Sequence, residues 1–222
     1  MRRSHLLTGL AAVLAFAACA DPMGPEPGAS GTDPVSLLWH LSADRSGDGA
    51  ADSELHFLEI SEAAPPLETY AASFKACGWR SQTLQIRYES ASGGDGLFLE
   101  LTIPKGSITN WPSGRTFASR QCVEITVKVD RSRVAAEFGP GGLKFSQSTP
   151  AVLRMSYAQA DPDYSGDGVV DLQDESIWNE QLGVWRLADK KSAWQLIPSV
   201  HDKEAKRLDA KLFEFSQYGT AH

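Results

Sequence analysis

The sequence predicts an all-β protein, an antiparallel β-sandwich carrying one short helix. Three observations predict it. Short apolar runs alternate with period two, as in Val123-Glu124-Ile125-Thr126-Val127-Lys128-Val129, where the valines and Ile125 share one face. Strong breakers separate the runs: Ser92-Gly93-Gly94-Asp95-Gly96, Trp111-Pro112-Ser113-Gly114 and Gly139-Pro140-Gly141-Gly142. Only Leu172 to Leu182 has a helical claim, and many short strands at such spacing are the pattern of a sandwich.

In chain order, the opening Met1-Arg2-Arg3-Ser4-His5 is basic, and Leu6 to Ala18 follows without charge. That apolar run of 13 residues is too short to span a bilayer, which needs about 20. A basic start, a short apolar stretch and small residues before a cut site mark residues 1–18 as a signal peptide. Phe16-Ala17-Ala18-Cys19 resembles the bacterial lipobox, departing from it at Phe16, where leucine is usual. The resemblance implies cleavage before Cys19 and acylation of that cysteine; ordinary cleavage after Ala20 is the alternative. Ala20 rather than aspartate after Cys19 leans toward the outer membrane of a bacterial cell envelope. Residues 19–34 are rich in Pro and Gly and read as a flexible tether, so the folded domain is expected over residues 35–222.

Within that domain the candidate strands are Leu37–Leu41, Tyr70–Ala76, Leu84–Tyr88, Leu97–Ile103, Val123–Val129, Val134–Phe138, Val152–Tyr157, Val184–Leu187, Trp194–Ile197 and Lys206–Leu212. Leu55–Ile60 reads equally as strand or helix. With Cys19 lipidated, Cys77 and Cys122 are left as a pair in an oxidising compartment. A bond closing that loop of 122 − 77 = 45 residues stabilises by about 4 kcal/mol in the chain-entropy model. Two separate buried thiols are the other reading.

Cleavage at Cys19 leaves 222 − 18 = 204 residues and moves the formal charge from −7 to −9 with the loss of Arg2 and Arg3. An acidic surface argues against nucleic acid, whose binding rests on Lys and Arg, and suits divalent cations.

Residues 163–174 carry the chemistry: Asp163-Tyr164-Ser165-Gly166-Asp167-Gly168-Val169-Val170-Asp171-Leu172-Gln173-Asp174. Read as a twelve-residue loop, Asp163, Ser165, Asp167, Asp171 and Asp174 place oxygens at positions 1, 3, 5, 9 and 12, with the Val169 carbonyl at 7. Gly168 stands at the sharp turn, and Val170 is placed to tie the loop to the body. Ca²⁺ takes about six to eight oxygens, which closely spaced carboxylates deliver. A solvated acidic turn is the plain alternative. Asp174 is also placed to cap a helix from Glu175 to Leu182. The loop resembles those of dockerins and thrombospondin calcium repeats, an EF-hand-like arrangement with Asp at position 12. An upstream partial copy offers Asp44, Ser46, Asp48 and Asp52 as a weaker second site, with Leu55 at position 12 and Glu54 one residue off. The two loops start 163 − 44 = 119 residues apart, which argues against the compact tandem of a dockerin.

A resemblance also covers residues 84–220. Gly93-Gly94-Asp95-Gly96-Leu97-Phe98-Leu99-Glu100-Leu101-Thr102-Ile103-Pro104-Lys105-Gly106, then Phe138-Gly139-Pro140-Gly141-Gly142-Leu143-Lys144-Phe145, then Pro150–Tyr157, Gly183–Leu187 and Phe213–Tyr218 resemble the β-sandwich domain shared by ankyrins, netrin receptors and tight-junction scaffolds. In bacterial relatives a His often precedes the last Phe-Ser, where Glu214 stands here. The resemblance implies an interaction or structural module, and fold alone does not dictate function.

No HExxH, GxSxG or phosphate-binding glycine loop is present. His40, His56, His201 and His222 are scattered without ligand spacing and read as structural. Of the tryptophans at 39, 79, 111, 178, 185 and 194, Trp111 beside Pro112 and Trp79 are the candidate sugar platforms. The sequence therefore predicts a non-enzymatic envelope protein, held to the membrane by lipid, binding Ca²⁺ and facing an envelope protein or a glycan.

Overall fold

The computed structural model describes residues 55–89, 96–189 and 192–222. The signal peptide, Cys19, the tether, the Leu37–Leu41 strand and the Asp44, Ser46, Asp48 and Asp52 loop lie outside the described residues. Those described form an antiparallel β-sandwich. One sheet has six strands: β1 (Ala71–Cys77), β5 (Cys122–Val129), β6 (Ala135–Gly139), β13 (Gln217–Ala221), β9 (Gly183–Leu187) and β10 (Trp194–Ile197), in that spatial order. The other has five: β11 (Ser199–Asp202), β12 (Arg207–Leu212), β8 (Ala151–Ser156), β3 (Leu97–Ile103) and β2 (Gln82–Arg87). A small ribbon pairs β4 (Ile108–Asn110) with β7 (Lys144–Phe145).

Alternation decides which face is buried. Along β5, Val123, Ile125, Val127 and Val129 point into the core while Glu124, Thr126 and Lys128 face water. Leu97, Leu99, Leu101 and Ile103 do the same from β3 in the opposing sheet. Between the sheets lies an aromatic cluster, with Phe138 against Phe215 (5.5 Å) and Tyr218 (5.8 Å), and Phe145 edge-on to Phe215 (4.7 Å). On the outer face of the five-stranded sheet, Arg154 reaches Glu100 at 2.6 Å and Asp209 at 3.2 Å, lacing three neighbouring strands.

Cys77 and Cys122 are bonded, as one of the two sequence readings expects. They sit opposite each other in the register of β1 and β5, so the bond fastens a strand that lies at the edge, among the described residues, to its neighbour in the sheet. Leu55–Ile60 is extended: Phe57 bridges Ala221 and Glu59 bridges Arg133, while Leu58 is buried. Gly219 lets this segment approach. A Cβ there would lie 2.7 Å from Phe57 Cε1 and 3.2 Å from Ala135 Cβ.

Candidate functional site

The loop at 163–174 lies in the connection that carries the chain from β8 of one sheet to β9 of the other. Its entry is pinned by backbone: Ser61 N–H donates to Gln159 C=O (2.9 Å) and Asp161 N–H to Glu59 C=O (2.9 Å). Its exit is helical. The α-helix α1 (Leu172–Ser176) runs into a wider π-type turn at Ile177–Gln181. Asp174, Ile177 and Trp178 share the inward side, with Asp174 and Ile177 buried, as helical spacing requires.

Two carboxylates organise the loop. Asp163 Oδ1 accepts from the N–H groups of Gly166 (2.9 Å) and Asp167 (3.2 Å) and from Ser165 Oγ (3.2 Å); its Oδ2 accepts from Gly168 N–H (2.7 Å). Curling the chain round one side chain so tightly needs left-handed backbone, supplied by Gly166 (φ +73°) and Gly168 (φ +88°). Asp174 is 3% exposed and accepts from Ser165 N–H (2.8 Å) through Oδ1 and from Asp171 N–H (2.8 Å) through Oδ2. These backbone amides hold the Asp174 carboxyl below the usual carboxylate range.

The expected helix cap is corrected. Asp171, not Asp174, is the N-cap, accepting from Gln173 N–H (2.7 Å), while Asp174 stands three residues on and closes the capping box. The helix therefore starts at Leu172, because the Asp171 oxygen satisfies an otherwise orphan amide there. Val170 is corrected too. It was expected to tie the loop to the body, yet it is 61% exposed, beside Val169 at 59% and Leu172 at 81%. The tie is made instead by Tyr164, which packs on the core edge-on to Tyr157 with ring centroids 6.5 Å apart, and whose carbonyl accepts from His222 Nε2 at 2.9 Å.

Of the proposed oxygen donors, Asp163, Ser165 and Asp174 are thus brought together by hydrogen bonds, while Asp167 and Asp171 lie exposed along the loop. Asp167 accepts from Val169 N–H at 2.9 Å. Among the described residues, no three His, Cys, Asp or Glu side chains converge closely enough to hold a metal ion. The donor chemistry fits a hard cation nonetheless. Every side-chain donor is oxygen, and Asp163 Oδ2 accepts from Gly168 N–H with a lone pair to spare.

Sequence reading missed the hub beneath the loop. Tyr157, buried at the end of β8, accepts a hydrogen bond from Trp178 Nε1 (2.9 Å) and meets His201 Nε2 of β11 within hydrogen-bond reach. These residues are distant in sequence and share no periodic pattern, so only the alternation placing Tyr157 at a strand end hinted at it. Trp111 is half-buried against Phe117 (5.0 Å) under Arg115 and donates to Gln121 Oε1 at 3.3 Å, so it is no open platform. Trp79 is 47% exposed. Glu214, where the resemblance has histidine, is ion-paired with Arg186 at 3.2 Å.

The chain matches no protein-family model, no curated protein and no solved structure. The fold and the loop geometry define a β-sandwich with a capped acidic crossover. Among the described residues, no helix is long and apolar enough to cross a membrane.

Proposed function

We propose that this chain is a non-enzymatic, lipid-anchored protein of the bacterial cell envelope whose β-sandwich holds a structural Ca²⁺ in the 163–174 loop and offers an interaction surface. The observation that carries the reading is the place of that loop: it forms part of the bridge between the two sheets and is already wound round Asp163 and Asp174. Asp163, Ser165, Asp167, Asp171 and Asp174, with the Val169 carbonyl, would hold the ion. Its chemistry there is charge neutralisation of crowded carboxylates rather than catalysis. Extracellular modules bind calcium at about 10⁻⁴–10⁻³ M, so the ion would remain bound outside the cell. The resemblance to interaction sandwiches supports the binding role, and Leu6–Ala18 with Cys19 supports the anchor. The test is calorimetric titration of the chelator-stripped chain with Ca²⁺, beside Asp167→Ala. One saturable site lost in the variant is expected. No binding to either chain sinks the calcium reading, and a second site would revive the Asp44, Ser46, Asp48 and Asp52 loop.

A second reading, an accessory protein for carbohydrate, is favoured by the exposed Trp79 ring rather than by Trp111. Glycan-array binding abolished by Trp79→Ala would promote it; equal binding by both proteins would dismiss it.

A further inference from the structure

We infer that the tip of the crossover loop is a docking surface for a protein whose matching face is an apolar helix face bordered by lysine and arginine. Exposed aliphatic residues scattered singly are ordinary on any protein. Here Val169, Val170 and Leu172 stand 59%, 61% and 81% exposed within four residues of one loop. Nothing in the fold requires them outside. The adjoining residues that anchor the crossover, Tyr164 and Ile177, pack on the core, and Asp163 and Asp174 fix the loop backbone that carries the trio. Leu172 continues into a shallow open cleft along the helix, shared with Glu175, Asn179, Glu180 and Lys203. Contiguous exposed apolar surface with a polar rim is the pattern of an interaction site.

The charge around it selects the partner. Residues 161–181 contain Asp161, Asp163, Asp167, Asp171, Asp174, Glu175 and Glu180 and no Lys, Arg or His. The segment's formal charge is −7 against −9 for the chain cleaved before Cys19, so the rest of the mature protein sums to −9 − (−7) = −2. Among the described residues, the one cation lining the cleft, Lys203, is turned onto Asn179 Oδ1 (3.0 Å) and over the Trp178 ring (5.6 Å). Two copies meeting tip to tip would set seven carboxylates against seven, and an anionic bilayer would be repelled likewise. An apolar helix face with basic borders takes both features at once: it covers the valines and Leu172 and neutralises the rim. The inference stands on exposure and charge, and an ion in the loop would leave the segment acidic.

The experiment measures fluorescence anisotropy of a labelled helical peptide with one leucine face and lysines along its borders. It is titrated with the full chain, the Val170→Ser/Leu172→Ser double variant and the Glu175→Gln/Glu180→Gln double variant. Melting curves of all three show whether each is folded. Saturable binding is expected for the native chain, weakened about tenfold or more by the serine pair, the loss of an interface anchor. The glutamine pair is expected to reduce its salt dependence. Equal affinity of the serine pair at native stability would overturn the proposal, because the contact would be charge alone. So would the absence of peptide binding. Two other results overturn it by naming a different occupant: a dimer in sedimentation that the serine pair dissolves, or phosphatidylcholine or phosphatidylglycerol vesicles that bind the native chain and not the serine pair.

Discussion

Trp178 Nε1 donates to the hydroxyl of Tyr157 across 2.9 Å, joining the helical end of the crossover to the strand that begins it. The same hydroxyl meets His201 Nε2, and with that nitrogen unprotonated the phenol donates its own proton to it. Burial pushes the Tyr157 phenol up to about 12, so it remains a donor at every physiological pH. Burial, followed by the Lys203 charge, lowers the His201 imidazole, with Asp202 opposing weakly. The sign of the linkage follows. An unfolded chain takes up a proton at His201 near the ordinary value of 6.5, and the folded chain takes it up only at lower pH. Between those values the unfolded state holds more protons, so stability is full above pH 6.5 and declines as pH falls toward the folded value. His222, lowered by its own burial, adds a decline of the same sign. Melting temperature against pH should be flat between the ordinary histidine value of 6.5 and the ordinary tyrosine value of 10.0, and fall below that range. His201→Gln, which keeps an acceptor for Tyr157 without titrating, should make that fall shallower; an unchanged profile would remove His201 from the account.

The bond between Cys77 and Cys122 closes a loop of 45 residues and holds β1 to β5. Reduction releases that constraint on the unfolded chain, and the expected loss is about 3–4 kcal/mol for a loop of this size. Equilibrium urea unfolding of Cys77→Ser/Cys122→Ser beside the native chain measures it. A midpoint within error of the native one would show that the sheet register holds β1 without help.

Most of this sandwich was legible because alternation is a strong local signal. Leu97–Ile103 and Trp194–Ile197 coincide with β3 and β10, and seven further runs fall within a residue or two of a strand. The failures have physical causes. β4 and β7 have three and two residues, too few to alternate, and they are held by long-range pairing alone. β11 begins after Pro198 with Ser199 and His201, which carry no apolar face, and β13 reads Gln217-Tyr218-Gly219-Thr220-Ala221, where glycine and alanine fill a space too tight for larger residues. In the loop, spacing identified Asp163, Ser165, Asp167, Asp171 and Asp174 as a set of oxygen donors without singling out Asp163 and Asp174 as the two that organise the backbone. It could not tell that Asp171 would cap the helix or that Val170 would face water, since both follow from how Tyr164 and Ile177 seat the segment on the core.

Asp174 and Asp167 should separate the loop's fold from its ion chemistry. Asp174 is buried and serves Ser165 and Asp171 backbone amides whether or not a cation is bound. Asp174→Ala should therefore lower the melting temperature in chelator as well as in calcium. Asp167 is exposed and serves only Val169 N–H, two residues away. Its alanine variant should melt like the native chain in chelator and below it in calcium. Equal shifts of both variants in chelator would contradict the division of roles.

Gly219 tests the seating of the extended segment at 55–60, which no periodic pattern announced. A Cβ at this position would stand 2.7 Å from Cε1 and 2.9 Å from Cδ1 of Phe57, and 3.2 Å from Ala135 Cβ. The phenyl ring can swing, but it is stacked edge-on to Trp194 with centroids 4.7 Å apart, and Ala135 is fixed in β6 beside it. Something must move, and overpacking of this kind costs about 1–3 kcal/mol. Urea unfolding of Gly219→Ala should show that loss. Because the clash is with Phe57, hydrogen exchange should speed first at Leu58 and Ile60, whose amides donate to Thr220 and Ser132. Phe57→Ala in the same chain should recover part of the loss by vacating the space. A Gly219→Ala protein as stable as the native one would mean that the segment yields freely, and its pairing with β13 would then contribute little to the fold.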